Sequence, residues 1–206
     1  GAPLEQLSPC GACRQVISDF CEAENCSILL DDGNRQHSFT LAQLFLHGFK
    51  LPATARGTQA ISCEQVERTA TANLLAAAQA IRDNADVHME KKPEGAAILS
   101  ADGRVFCGAS VENACTPLML HALRVANGRA VAAGAAQAGQ RHITQAALAL
   151  PARGKTAAEA MRLAINPALV NEFFADDAEI TLAIDGQQPR TLKAAELFAW
   201  ADKAKA

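Results

Sequence analysis

Ser8-Pro9-Cys10-Gly11-Ala12-Cys13-Arg14-Gln15-Val16-Ile17-Ser18-Asp19-Phe20 places two thiols three residues apart at a helix start. Pro9 fixes the backbone ahead of the first turn, and Val16, Ile17 and Phe20 carry the apolar spacing of a buried helix face. Cys10 and Cys13 then fall one turn apart on one side, so both sulfurs can face one ligand. The partial positive charge of a helix N-terminus favours thiolate, the form that binds zinc or attacks a disulfide. The C-x-x-C spacing alone leaves three readings open: half of a zinc site, a dithiol redox pair, or two buried cysteines.

The rest of the chain narrows the class. Its 206 residues, 50% hydrophobic and 20% charged, describe a globular protein with room for one large or two small domains. A net charge of −3 without a basic stripe gives no electrostatic footprint for nucleic acid or an anionic membrane. A small uncharged substrate is compatible with that balance. No apolar run reaches the roughly 18 residues of a membrane span, and the N-terminal stretch lacks the regions of a signal peptide. Seven cysteines, irregularly spaced, suit a reducing compartment better than a secreted disulfide framework. The expected location is the cytoplasm.

In chain order, the first helix is expected to end near Cys21, followed by a buried strand over 25–30 and a turn at Asp31-Asp32-Gly33-Asn34. Thr40 can cap a helix with Leu41, Leu44 and Phe45 as its stripe, closed by Gly48. Residues 51–62, rich in Pro, Gly, Thr and Ala, read as a linker. Cys63 to about Ala85 reads as one long amphipathic helix, and 95–111 as a hairpin around Ala101-Asp102-Gly103. A helix over 118–125 carries His121. A strand over 143–150, a helix over 156–165, a strand over 180–184 and a last helix over 194–200 complete the order.

Three of these segments resemble one family. Pro9-Cys10-Gly11-Ala12-Cys13-Arg14-Gln15-Val16-Ile17 and Phe20 resemble the second zinc motif of the cytidine deaminases, whose signature is H-x-E followed by P-C-x-x-C. A thioredoxin-type pair more typically has Trp before the first cysteine and Pro between the two. The string Thr40 to Phe49 resembles the end of a deaminase domain, where a phenylalanine packs on the pyrimidine ring, although Leu46 replaces the usual proline. Read as an aromatic alone, Phe49 plugs a core. Gly108-Ala-Ser-Val-Glu-Asn-Ala114 and His121-Ala122-Leu123 resemble the start of such a domain, with two departures. Ser110 stands where the family has its ribose-binding asparagine, and Leu123 where it has the catalytic glutamate. Glu112 matches the ribose-hydroxyl acceptor, but with degenerate neighbours it reads as a salt-bridge or capping residue. His121 reads as a packed, hydrogen-bonded residue rather than a ligand.

Because the order of elements in 1–50 repeats near the C-terminus, the resemblance implies a three-layer α-β-α fold with a mixed central sheet, in one partial and one complete deaminase-like unit. Residues 1–50 would be the later part of a catalytic zinc domain, 51–62 a linker, and 63–206 a second domain without a complete zinc site. The resemblance further implies Zn2+ held by Cys10 and Cys13, Phe49 against the base, and hydrolytic deamination of cytidine or 2′-deoxycytidine in pyrimidine salvage. In the family the H-x-E helix precedes P-C-x-x-C, so the proton-shuttle glutamate and a third ligand are expected upstream of residue 1, on a fragment of the same enzyme. The alternative order is a permuted fold completed by His121. A homodimer acting on a small nucleoside is expected. The competing reading is a non-catalytic deaminase-fold scaffold or regulatory subunit, and a more distant one is a dithiol oxidoreductase.

Overall fold

The computed structural model describes residues 3–48, 62–70, 73–135, 140–153 and 156–197. The chain divides into two compact units, Gly1–Ala55 with Glu112–Met119, and Arg56–Val111 with Leu120–Ala206.

The first unit holds a one-turn helix α1 (Leu4–Leu7), α2 (Gly11–Phe20), the antiparallel strands β1 (Ser27–Asp31) and β2 (Gln36–Thr40), and α3 (Leu41–Leu44). Helix α2 starts and stops as its sequence dictates, with Cys10 as N-cap and Cys21 as C-cap. Its expected buried face is corrected. Val16 and Ile17 are half-buried, Phe20 is 52% exposed, and the buried residue is Gln15. The strand expected over 25–30 is likewise mostly exposed: Leu30 is buried while Leu29 is 64% exposed. The reason is that two strands offer little surface for an apolar face to pack on. Strand β2 was not expected, since Gln36, His37 and Ser38 carry no apolar alternation. The turn that joins it to β1 is held by carboxylates: Asp31 accepts from Gly33 N–H at 2.8 Å, and Asp32 from Asn34 and Arg35 N–H at 2.7 and 2.9 Å. Gly33 takes φ 85°, the left-handed conformation a side chain would oppose. Thr40 caps α3 as expected, in a reciprocal box with Gln43, but the helix ends at Leu44, short of Gly48.

The second unit is built on a mixed sheet of five strands. It contains α4 (Cys63–Thr69), α5 (Leu74–Ile81), β3 (Gly95–Ser100), β4 (Val105–Ala109), α6 (Ala122–Ala132), β5 (Ile143–Leu150), α7 (Ala157–Ala164), α8 (Pro167–Phe173), β6 (Phe174–Ile184) and β7 (Arg190–Lys193). The strand order is β4-β3-β5-β6-β7, with β5 and β6 parallel and the other neighbours antiparallel. Alternation along β3 sends Ala96 and Ile98 to one face, against Leu123 and Ala126 of α6, Met161 of α7 and Leu169 of α8. Ala97 goes to the other face, with Val66 of α4 and Ala78 and Ile81 of α5. The result is the expected mixed α/β architecture in three layers, helices on both faces of the sheet. Two glycines permit it. A Cβ on Gly95 would lie 2.0 Å from the Ala78 carbonyl oxygen, and one on Gly108 would lie 2.4 Å from the Ala126 nitrogen.

Several boundaries differ from the sequence reading. The single helix over 63–85 is two helices and a 3-10 turn, Arg82–Asn84, because Asn73 stops the run and caps α5 by accepting from Ala76 N–H. Helix α8 and strand β7 are additional elements. Helix α6 begins after His121, which is its N-cap, rather than enclosing it. The helix expected over 194–200 is a 3-10 turn, Ala194–Glu196, within the described residues. Most of the linker expected over 51–62 lies outside them. Among the described residues no helix is long and apolar enough to cross a membrane.

Candidate metal centre

Pro9 delivers the chain into α2 in an extended conformation at Cys10, whose sulfur accepts from the Cys13 N–H at 3.4 Å. The two sulfurs lie 3.1 Å apart, and both side chains are exposed. The pairing is asymmetric. The hydrogen bond between the two thiols, with that from the Cys13 N–H, holds Cys10 below the ordinary thiol value, and the same partnership, with burial a smaller contribution, pushes Cys13 up.

The pair can also take a metal. Two thiolates on tetrahedral zinc, with Zn–S near 2.3 Å, stand about 3.8 Å apart. The observed contact, 3.1 Å, is shorter than that spacing, and both side chains are exposed. The pair therefore fits half of a zinc coordination set. Among the described residues no third His, Cys, Asp or Glu joins them in a group able to hold a metal.

Two contacts around α2 were not foreseen. Arg14, the residue after Cys13, donates Nε to the Pro9 carbonyl at 2.7 Å, Nη2 to the Ser8 hydroxyl at 2.8 Å, and Nη1 to the Leu44 carbonyl. Asp19 accepts from Asn113 Nδ2 at 2.5 Å and from Ala114 N–H at 2.7 Å, so the Glu112–Met119 segment is tied to the last turn of α2. Glu112 itself is 1% exposed. Sequence spacing could not reveal the Asp19 contact, since it joins residues 94 positions apart. Phe49 lies outside the described residues.

In the second unit the corresponding helix start is occupied differently. His121 Nδ1 lies 3.1 Å from both carboxylate oxygens of Glu94, and the Ala122 N–H at the first turn of α6 donates to Glu94 at 3.3 Å. Glu94 is 1% exposed, and the neighbouring cation is a side chain: Arg153 Nη1 stands 3.5 Å from Glu94 and Nη2 3.8 Å from Glu90. Ser110 is fully buried and accepts from the Glu94 N–H at 3.0 Å. Leu123 is 1% exposed in the core. Neither cysteine of this unit offers a ligand beside His121. Cys63 lies on α4, and Cys107 is buried in β4 with its thiol pushed up to about 12 by burial and by the charge of Glu67. Helix α7, which follows β5, contains no cysteine.

No family model matches the chain. Among solved structures it is similar to the cytidine deaminase from Burkholderia pseudomallei, at 28% identity and a TM-score of 0.49, over 60% of this chain and 92% of that one. It is similar to the cytidine deaminase from Mycobacterium leprae at 24% identity and a TM-score of 0.45, over 61% of this chain and 94% of that one. The cytidine deaminase from Mycobacterium tuberculosis matches at 21% identity and a TM-score of 0.41, over 60% of this chain and 89% of that one. These three structures are cytidine deaminases.

Proposed function

We propose that the first unit is the later part of a zinc deaminase site and that the protein takes part in hydrolytic deamination of cytidine or 2′-deoxycytidine, in cytoplasmic pyrimidine salvage. The observation that carries the reading is the exposed Cys10 and Cys13 pair, 3.1 Å apart at the N-terminus of α2 within the P-C-x-x-C-R motif. A redox pair would share the spacing but not the longer string, and the substrate class comes from that string's resemblance to the deaminase motif. Cys10 and Cys13 would hold zinc as thiolates, the helix N-terminus favouring their negative charge. Bound there, zinc would supply activation of water at neutral pH. The Arg14 guanidinium holds Ser8 and Pro9, the two residues that lead into Cys10. Phe49 would pack on the base.

The remaining parts of the site, a third ligand and a glutamate to move protons to the ring and the leaving ammonia, would come from a partner segment of the same fold. Internal repetition supports this. Strand β6 of the second unit is paired on both edges, by β5 and β7, whereas β1, at the same place in the element order of the first unit, pairs only with β2 among the described residues. The domain read from the sequence as 63–206 would be non-catalytic and contribute to a homodimer, because Glu94 already has His121 at 3.1 Å and Arg153 at 3.5 Å where a metal ligand and its ion would stand.

The test is turnover. The purified chain with Zn2+ is expected to leave cytidine unchanged, and refolding it with a polypeptide bearing the H-x-E half of a deaminase domain is expected to yield uridine and ammonia. Turnover by the purified chain alone would overturn the need for a partner. No turnover in any such complex that carries bound zinc would overturn the deaminase reading.

A further inference from the structure

We infer that Arg14 is a positioning residue for the Cys10 and Cys13 pair, an inference that rests on the zinc reading of that pair. Cys10 is the N-cap, its carbonyl accepting the first helical bond from Arg14 N–H at 2.9 Å, while Ser8 and Pro9 ahead of it lie before the helix and must be held by other bonds. Fixing that loop by chain connectivity alone would leave the two sulfurs free to splay. The guanidinium supplies the missing constraint. It reaches back one turn to the two residues that immediately precede Cys10, gripping the Ser8 hydroxyl and the Pro9 carbonyl, and its third bond goes to the Leu44 carbonyl at the end of α3.

Three acceptors on two different elements match the planar fork of arginine and exceed what the compact head of lysine can span. Two of them, carbonyl oxygens of Pro9 and Leu44, are backbone groups that no helix or strand bond uses within their own elements, so the guanidinium also satisfies them. Arg14 is half-buried and touches neither sulfur through any of these bonds. Its effect on a metal would pass through loop geometry, and partners of ligands that act in this way typically change metal affinity by about 10- to 100-fold. Because Leu44 stands five residues before Phe49, the same side chain joins the stretch assigned to the metal with the stretch assigned to the base.

The test uses the full chain and Co2+, read by the thiolate-to-cobalt absorption band and by competition with a chromophoric chelator, together with the melting curve of each variant. Arg14→Met is expected to weaken Co2+ binding by about 10- to 100-fold, Arg14→Lys to recover only part of that loss, and Ser8→Ala, which removes one of three bonds, to show a smaller loss with an unchanged melting curve. A residue that merely supports the fold would lower the melting temperature in Arg14→Met and leave the Co2+ affinity of Ser8→Ala and Arg14→Lys untouched, and that pattern would overturn the inference. Equal Co2+ affinity in all four proteins would overturn it too while leaving the zinc reading standing. If the unsubstituted chain, refolded with the H-x-E polypeptide that supplies the third ligand, shows no thiolate-to-cobalt band, the zinc reading falls and the positioning role falls with it.

Discussion

The two units meet the same problem, a helix start that follows an extended segment, with opposite chemistry. In the first, α2 begins on an exposed thiol pair whose sulfurs stand 3.1 Å apart. In the second, α6 begins beside the buried Glu94 carboxylate, which is hydrogen-bonded to His121 and to the Ala122 N–H and has the Arg153 guanidinium 3.5 Å away. The first arrangement is open to an added cation; the second already places a side-chain cation beside its carboxylate. The difference extends to packing. The second unit buries a five-stranded sheet between two helical layers, while the first leaves Phe20 and Leu29 half or more exposed beside a two-stranded hairpin. A buried ion cluster needs that dense surrounding to hold its geometry, whereas a binding dithiol needs access.

The largest contrast to test is thiol reactivity. With metal removed, Cys10 and Cys13 are expected to be alkylated by iodoacetamide within minutes at pH 8, read by peptide mass. Cys107, enclosed in β4 with its thiol pushed up to about 12 by burial and the charge of Glu67, stays protonated at that pH. It should be modified only on unfolding. Equal rates would mean that the second unit opens freely and would remove the basis of the comparison.

Leu123→Glu tests whether the second unit can be returned to catalysis by restoring the acid its motif lacks. The carboxylate would enter a site 1% exposed among Ile98, Met161 and other core residues. The expected cost is about 3 kcal/mol or more, seen as a lower urea midpoint, with no gain of zinc or of cytidine turnover. A stable, zinc-loaded variant would show that the cluster around Glu94 is replaceable. Gly95→Ala is expected to cost about 1–3 kcal/mol, because its Cβ would collide with the Ala78 backbone oxygen at 2.0 Å. An unchanged midpoint would show that α5 is not seated against β3 as described.

A smaller effect concerns acid. His142 is 2% exposed, edge-on to Phe173 at 5.8 Å, and burial holds its imidazole below the ordinary value. The folded state therefore binds that proton less readily than the unfolded chain. Stability is present in full above the ordinary histidine value of about 6.5 and is lost as pH falls below it toward the depressed folded value. His142→Phe should flatten that part of the unfolding free energy against pH. An identical acid slope in the variant would assign the loss to other groups.

What was legible in the sequence was local. The start of α2 at Cys10, the Thr40 cap, the β3–β4 hairpin around Gly103 and strand β5 at 143–150 each follow from a few adjacent residues. What was not legible depended on partners far along the chain. Phe20 has the spacing of a buried residue, but burial requires a surface to pack on. Strand β2 and strand β7 carry polar residues that a neighbouring strand, rather than their own pattern, makes extended. The break between α4 and α5 was available in principle from Asn73, a residue favoured at helix N-caps, within a run whose other residues favour helix. Arg14 was quoted in the motif without a role, because its three acceptors are set by loop geometry that spacing does not encode. Glu94 and Arg153, 59 residues apart in sequence, could not be paired from the sequence at all.

The most direct test of the account is metal content. The natural assembly, purified without chelator and analysed by inductively coupled plasma mass spectrometry, is expected to hold close to one zinc per chain, and Cys10→Ala or Cys13→Ala is expected to lose it. An assembly without zinc, in which Cys10 and Cys13 form a reversible disulfide, would contradict the account and assign the pair to redox chemistry.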